Sequence, residues 1–201
     1  MTRQRSIFDI VGPVMIGPSS SHTAGAVRLG LLARSALGEQ PVHAEIGLHG
    51  SFASTGPGHG TGLAIVAGLL GLAPDDPAIT DSPRLASDAG LEVAFHTVDL
   101  GQSHPNSALF ALTAADGRHM ELQGSSLGGG DVVLTRVDAY DTEITGELPS
   151  LLVFHLDRPG EVAAVTAVLA DEGVNIARMR VSRERRGANA LMVIETDAAA
   201  T

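Results

Sequence analysis

Two glycine- and hydroxyl-rich segments constrain the fold of this chain more than any other feature, because each carries one histidine directly before an apolar helical pattern. The first, 12–26, reads GPVMIGPSSSHTAGA and leads into a pattern that extends to about Leu37. The second, 50–62, reads GSFASTGPGHGTG and leads into the apolar residues 63–72. Exposed N–H groups at a helix start favour a carboxylate or phosphate, and neighbouring hydroxyls add hydrogen-bond donors. A single capped helix needs no ligand, whereas two such helix starts can converge on one small anion.

Three histidines lie in loops whose Gly, Pro and Ser content gives no reason to place them in a core: His22, His59 and His104. With a pKa of about 6.5, a histidine can accept or donate a proton at neutral pH, so these loops suit proton transfer. His43 and His49 lie on the polar face of a predicted strand. The other histidines lie in predicted strands and are expected to be structural: His96, His119 and His155. No H-x-x-x-H or H-E-x-x-H spacing occurs, so zinc held by this chain alone is not expected.

The absence of two residue types excludes several mechanisms. The 201 residues include no cysteine, so the chain can form no disulfide and supply no thiolate to a metal. All 13 basic side chains are arginines, and without lysine the chain cannot form a Schiff base with pyridoxal phosphate or carry a P-loop lysine. The net charge of −10 argues against binding to nucleic acid or to an anionic membrane. No apolar run reaches the ~18 residues of a membrane span and no signal sequence is evident, so we expect a cytoplasmic protein.

Helical and alternating patterns along the chain predict an α/β (α+β) fold. After a short apolar stretch at 6–15, the helix to Leu37 is expected to end at Gly38. Strict alternation predicts a strand at 42–49. The elements that follow are predicted as helices at 63–72 and 84–89, strands at 91–98 and 132–134, and a hairpin of 108–113 with 119–123.

The polar, acidic residues 140–149 are predicted to mark a domain boundary. Beyond them the pattern changes to a β-α-β-β unit, with strands expected at 151–156, 174–182 and 190–195. The helix of this unit is predicted at 161–172. Its apolar face is expected to consist of Val162, Val165, Val168 and Leu169.

Four motifs in a fixed order resemble those of the iron-sulfur-dependent L-serine dehydratases, and specifically the separate beta chain of two-subunit bacterial enzymes. The resemblance covers roughly residues 6–140. It rests on GPVMIGPSSSHTAG at 12–25, GSFA with the later TG and GHGT at 50–61, HPN at 104–106 and SSLGGG at 125–130. The tail, with DRPG at 157–160 and NIA at 175–177, is similar to an ACT domain, a small amino-acid-sensing module. The expected domains are therefore a serine dehydratase beta-chain domain at 1–146 and an ACT-like (ferredoxin-like) βαββ unit at 147–201, which lacks the last helix and strand of that module.

The resemblance implies an enzyme that converts L-serine to pyruvate and ammonia with a [4Fe-4S] cluster instead of pyridoxal phosphate. The cluster would be held by the cysteines of an alpha subunit, and its open iron would act as a Lewis acid while a base removes the Cα proton. This chain would form one wall of the site and hold no metal itself, and its ACT-like unit would associate with a second copy. The expected catalytic residues are His22, His59 and His104, and the expected substrate-binding residues are Ser19, Ser20, Ser21, Thr23, Thr61 and Asn106.

A non-enzymatic regulator is the alternative function. In that case the glycine and serine loops would hold an amino-acid carboxylate for sensing, and the ACT-like tail would dimerise. The histidines favour the enzyme, because a sensor needs anion donors but no titratable groups at its helix starts.

Overall fold

A computed structural model of the chain describes residues 14–199, and these divide into two compact units with the boundary after Thr135. The apolar stretch predicted at 6–15 and the Gly-Pro turn at 12–13 lie outside the described residues, apart from the last two positions of the stretch. The predicted division of the domains at residue 146 stays a prediction.

The first unit combines helices and strands, as the sequence predicts. A π-helical turn, Ser20–Ala24, leads into the first helix, and a 3₁₀ turn, Pro77–Asp81, precedes the last one. The helices are α1 (Gly25–Leu37), α2 (Gly50–Ser54), α3 (Gly56–His59), α4 (Thr61–Leu70) and α5 (Ser82–Asp88). The strands are β1 (His43–His49), β2 (Glu92–Thr97), β3 (Asn106–Thr113), β4 (His119–Gly128) and β5 (Asp131–Val137), and β5 extends two residues past the boundary.

The predicted end of α1 is confirmed. Gly38 has a left-handed φ of 89°, and its N–H group bonds to the carbonyls of Arg34 and Ser35. This conformation closes the last helical turn and is accessible to glycine without strain.

The expectation of a loop throughout 50–62 is wrong, because α2 and α3 occupy most of it. Each is one helical turn, closed in α2 by a bond from the Thr55 N–H group to the Ser51 carbonyl. Glycine and proline give this stretch no helical periodicity, so the sequence pattern does not predict these turns.

Two further differences concern strands. The strand predicted to end at residue 123 continues to Gly128, so only the last glycines of the SSLGGG motif form a turn. The boundary segment 140–149 contains β6 (Tyr140–Ile144), in which Tyr140, Thr142 and Ile144 are buried on one face. The charged residues of β6 lie on its other face, so the segment alternates as a strand does. Its polar, acidic composition alone indicated a boundary.

The sheet of the first unit has the strand order β2-β1-β3-β4-β5. β1 pairs parallel with β2 and antiparallel with β3, which in turn pairs antiparallel with β4. The register aligns the buried Ile46 with Phe110 and Phe110 with Leu122. These side chains form a core row across the sheet.

The α1 and α4 helices cross at two glycines. A Cβ atom on Gly30 would lie 2.4 Å from the Ile65 carbonyl oxygen, and one on Gly68 would lie 2.1 Å from the Val27 carbonyl oxygen. The two backbones are therefore in direct contact, with no room for a side chain. This contact fixes α1 and α4 relative to each other.

The second unit contains β6, β7 (Ser150–Leu156), α6 (Glu161–Asp171), β8 (Ile176–Arg183) and β9 (Asn189–Thr196). The predicted β-α-β-β unit is confirmed, with an antiparallel sheet of order β7-β9-β8. Its core is a cluster of Leu169, Met192 and Ile194.

The predicted apolar face of α6 is only partly correct. Leu169 is buried and Val165 packs against the cluster, but Val162 and Val168 are 37% and 62% exposed. A single helix packed on a three-stranded sheet buries only a narrow stripe of its own surface. Val165 and Leu169, four residues apart, lie on this stripe. Among residues 14–199, no helix has the length and apolar character needed to cross a bilayer.

Candidate functional site

The candidate site lies in the first unit, where the π-helical turn before α1 meets α2 and α3. The turn is capped by Ser19, whose side chain accepts a hydrogen bond of 3.1 Å from the His22 N–H group. Serine at this position satisfies an N–H group that has no partner within the helix. The cap therefore fixes the backbone that carries His22.

The imidazole of His22 contacts two hydroxyls of the second segment. Its Nε2 atom lies 3.1 Å from Ser51 Oγ and 3.0 Å from Thr55 Oγ1, and these two oxygens are 3.1 Å apart. The buried Phe52 ring stands edge-on to the imidazole, with 5.3 Å between ring centroids. His22 is thus half-buried and held in one orientation by its neighbours.

The Thr55 hydroxyl links His22 to the backbone of α2. Its oxygen lies 2.9 Å from the Ser51 carbonyl oxygen and 3.0 Å from His22 Nε2. When the hydroxyl proton points to this carbonyl, the neutral His22 tautomer that fits carries its proton on Nε2.

His59 lies beside His22, with ring centroids 5.0 Å apart and ring planes inclined by 36°. Its Nδ1 atom is 2.9 Å from the Thr55 carbonyl oxygen, which can only accept. The Nδ1 atom of His59 is therefore protonated, so the neutral ring has its lone pair on Nε2. The side chain is exposed, and its Nε2 atom has the protonation state of a proton acceptor.

Burial lowers the pKa of His22 below the ordinary value of 6.5. A hydrogen bond to the backbone of Ser51 opposes this effect, and the adjacent His59 adds to the lowering. Both burial and a second imidazole disfavour the imidazolium form. His22 is accordingly neutral at pH 7.

We expect His22 to titrate below pH 6.5 in the folded chain. Because the unfolded chain then binds this proton more readily, the contribution to the free energy of unfolding is complete above pH ~6.5 and is lost as the pH falls through the folded pKa. NMR of ¹⁵N-histidine would give the titration, and urea unfolding at several pH values would give the stability. A His22 signal that titrates at or above 6.5 would contradict the expectation.

The third predicted histidine lies on the segment that precedes β3. This segment runs along the start of α2, where the Ser51 N–H group donates to the Pro105 carbonyl at 2.7 Å and Gly50 forms a β-bridge with Asn106. The Asn106 N–H group also donates to His104 Nδ1 at 3.2 Å. Neutral His104 therefore has its proton on Nε2, the opposite arrangement to His59.

The predicted substrate-binding hydroxyls differ in exposure. The serines at 19–21 are half-buried, whereas Thr23 and Thr61 are 3% and 0% exposed. Within residues 14–199, the hydroxyls of both threonines have no hydrogen-bond partner. Glycine backbone covers them, since a Cβ atom would lie 2.6 Å from Thr23 Oγ1 at Gly17 and 3.2 Å from Thr61 Oγ1 at Gly56. The sequence predicts hydroxyls at the starts of both helices, but not which of them are buried.

Sequence reasoning missed Ser51 and Thr55 as functional candidates. Ser51 lies in α2 and Thr55, four residues later, is its C-terminal cap, so the two side chains lie on one face of the turn. The spacing would have indicated this arrangement if the segment had been predicted as helical.

Residues 14–199 do not offer a ligand set for a metal, and the chain has no thiolates for an iron-sulfur cluster. It contains no cysteine, and the described part of the chain holds no group of three or more metal-ligating side chains.

A cavity lies beside the histidine pair rather than at it. It has a volume of about 810 Å³ and is bounded by α3, α4, α5 and β2. Apolar side chains such as Leu63, Val66 and Phe95 dominate its wall. A zwitterionic amino acid needs charged or hydrogen-bonding groups at both ends, so the candidate site is the cluster around His22 and His59.

The family match and two relatives that cover most of the chain name the same family. Residues 6–90 match the family described as serine dehydratase beta chain, and residues 150–200 match the ACT domain. The chain is similar to the probable L-serine dehydratase, beta chain, of Bacillus subtilis (strain 168), with 43% identity over 195 residues, 97% of this chain and 88% of that relative. It is 36% identical over 193 residues to the L-serine dehydratase, beta chain, of Peptoniphilus asaccharolyticus, covering 96% of this chain and 87% of that relative. D-3-phosphoglycerate dehydrogenase of Methanocaldococcus jannaschii is 25% identical over 119 residues, 59% of this chain and 22% of that enzyme.

Proposed function

Because the chain belongs to the family of serine dehydratase beta chains, we propose that it acts with a separate alpha subunit to convert L-serine to pyruvate and ammonia. The observation that carries this proposal is the pair of imidazoles at two helix starts, 5.0 Å apart. His59 presents an unprotonated Nε2 atom in that pair. An enzyme that removes the Cα proton of serine needs such an acceptor, whereas a sensor that only binds an amino acid does not.

The tautomers of two histidines suit the two proton transfers of the reaction. His59 Nε2 accepts the Cα proton, and the electron pair of the Cα–H bond forms the Cα=Cβ bond as the Cβ–O bond breaks. His104 carries a proton on Nε2 and donates it to the departing hydroxide, which leaves as water. The aminoacrylate tautomerises to an imine, and water hydrolyses the imine to pyruvate and ammonia.

The neutral His22 orients the site. It positions Ser51 and Thr55, and Thr55 in turn fixes the tautomer of His59 through its carbonyl. A neutral ring also avoids repelling the substrate ammonium group. The substrate carboxylate is assigned to the helix starts and the polar groups around them. Ser19, Ser20, Ser21 and Asn106 bind it directly, and Thr23 and Thr61 bind it once the glycine backbone that covers their hydroxyls moves aside.

The partner supplies what this chain lacks. The [4Fe-4S] cluster implied by the resemblance is assigned to the cysteines of the alpha subunit, because this chain has none. Pyridoxal phosphate is not assigned to this chain, which has no lysine to bind it. The ACT unit is assigned amino-acid binding and association with a second copy of the chain.

Reconstitution tests the proposed function. The purified chain, the cluster-bearing alpha subunit and their mixture are each supplied with L-serine, and pyruvate is measured with a coupled assay. We expect pyruvate from the mixture alone. Activity of the alpha subunit without this chain would overturn the proposal.

Replacing the buried threonines tests the carboxylate site. Valine has nearly the same shape as threonine, and an unpartnered buried hydroxyl costs about 1–3 kcal/mol. We therefore expect Thr23→Val and Thr61→Val to leave the unfolding free energy of the chain unchanged or higher, while KM for L-serine rises at least about tenfold. Urea unfolding and steady-state kinetics of the reconstituted complex measure the two effects. An unchanged KM in both variants would remove these threonines from the site.

A regulatory module is the second candidate function, and one observation favours it. A dehydrogenase shares 119 aligned residues with this chain, although a hydride transfer and a dehydration have no chemistry in common. Under this alternative the shared region binds a carboxylate ligand, and the histidines are dispensable. Reconstituted variants of His59 would then keep their maximal rate and lose only a response to an effector.

A further inference from the structure

A chain of buried hydroxyls lies behind the segment that carries His104. Ser107 Oγ is 2.5 Å from the His104 carbonyl oxygen and 2.7 Å from Ser125 Oγ. Ser107 and Ser125 are 0% and 3% exposed and face each other across β3 and β4. The SSLGGG motif that contains Ser125 has no role in the mechanism above.

The direction of these hydrogen bonds follows from donor counting. A carbonyl oxygen can only accept, so the single hydroxyl proton of Ser107 is committed to His104. Ser125 must then donate to Ser107. The result is a series of hydrogen bonds that all point the same way, from Ser125 on β4 through Ser107 on β3 to the backbone carbonyl of His104.

The same segment is held from its other side by the His22 cluster. The carbonyl of Pro105, next to His104, accepts the N–H group of Ser51 at 2.7 Å. Ser51 Oγ in turn lies 3.1 Å from His22 Nε2. A displacement of the His104 segment is therefore transmitted to the hydroxyl that contacts His22.

We infer that Ser107, supported by Ser125, is a positioning residue of the active site, which sets the place of His104 and of the α2 start. The inference rests on the proposed function. Ser107 reaches neither substrate nor reacting atoms, because it is fully buried behind the segment. Its effect is on geometry, and misplacement of a catalytic group by about 1 Å can cost ~10²-fold in rate.

Ser107→Ala tests this role in the reconstituted complex. The variant leaves the His104 carbonyl without its donor, so we expect kcat to fall by about 10- to 100-fold while KM changes by less than about threefold.

Ser82→Ala is the matched control. Ser82 is also 0% exposed, and its hydroxyl donates to a backbone carbonyl, that of Leu63, at 2.8 Å. It lies at the start of α5, away from His104. We expect it to lose as much unfolding free energy as Ser107→Ala but to keep the wild-type kcat. Equal kcat values for the two variants would overturn the inference.

Hydrogen exchange of the full chain gives a readout that does not need activity. The Ser51 amide donates to Pro105, so its exchange should accelerate in Ser107→Ala and not in Ser82→Ala. Unchanged protection of this amide would overturn the inference. If wild-type complex made no pyruvate, the proposed function would fail, and the exchange experiment would still decide whether Ser107 positions the segment.

Discussion

Replacing His59 with glutamine lowers kcat of the reconstituted complex by about 10²-fold or more, the range for loss of a general base. The Nδ1–H group of His59 is bound to the Thr55 carbonyl, which leaves Nε2 as the acceptor for the Cα proton. Glutamine preserves polarity and approximate size, but it has no nitrogen that takes up a proton near neutral pH. Steady-state pyruvate formation at saturating L-serine measures the effect.

His119→Gln is the control for this substitution. His119 is also an exposed histidine of the first unit, but it lies on β4 with Thr113 as its neighbour. We expect wild-type kcat from this variant. Assembly with the alpha subunit, followed by size-exclusion chromatography, must be equal for both variants. A His59→Gln complex that assembles and retains the wild-type rate would remove His59 as the proton acceptor.

Replacing Gly68 with alanine destabilises the chain, although alanine is the better helix former by about 1 kcal/mol. The new Cβ atom would lie 2.1 Å from the Val27 carbonyl oxygen and 2.8 Å from the Leu31 nitrogen. Both atoms are backbone of α1, so no rotamer change relieves the overlap and the two helices must separate. We expect a net loss of about 1–3 kcal/mol, the range for overpacked cores. Urea unfolding of the full chain measures it.

Gly58→Ala is the control for this prediction. Gly58 is also helical, and a Cβ atom there has nothing within 4 Å. We expect a change within about 0.5 kcal/mol, as for ordinary surface substitutions. Equal stability of the two variants would show that α1 and α4 do not cross as closely as their backbones indicate.

The sequence predicted the elements with a regular pattern and missed those without one. The alternation in β1 and the apolar run in α4 identified both elements, because burial of one face or of a whole helix leaves a period in the sequence. The turns α2 and α3 left no period, since glycine and proline fill them.

The candidate site was predictable in composition but not in contacts. Its hydroxyls and histidines were visible as two similar segments, and the structure places His22 and His59 together. The roles of Ser51 and Thr55 depend on a helical turn that the sequence did not indicate. The tautomer of His59 depends on a backbone carbonyl, which no side-chain motif can specify.

A double-mutant cycle on His22 and His59 tests the central claim most directly, which is that both imidazoles belong to one active site. The values of kcat/KM for L-serine are measured for the wild-type complex, His22→Gln, His59→Gln and the double variant. Residues that act together give non-additive effects, so we expect the double variant to lose less than the product of the single losses, with a coupling of at least ~0.5 kcal/mol. Losses that multiply, or single variants that retain the wild-type kcat/KM, would contradict a shared site.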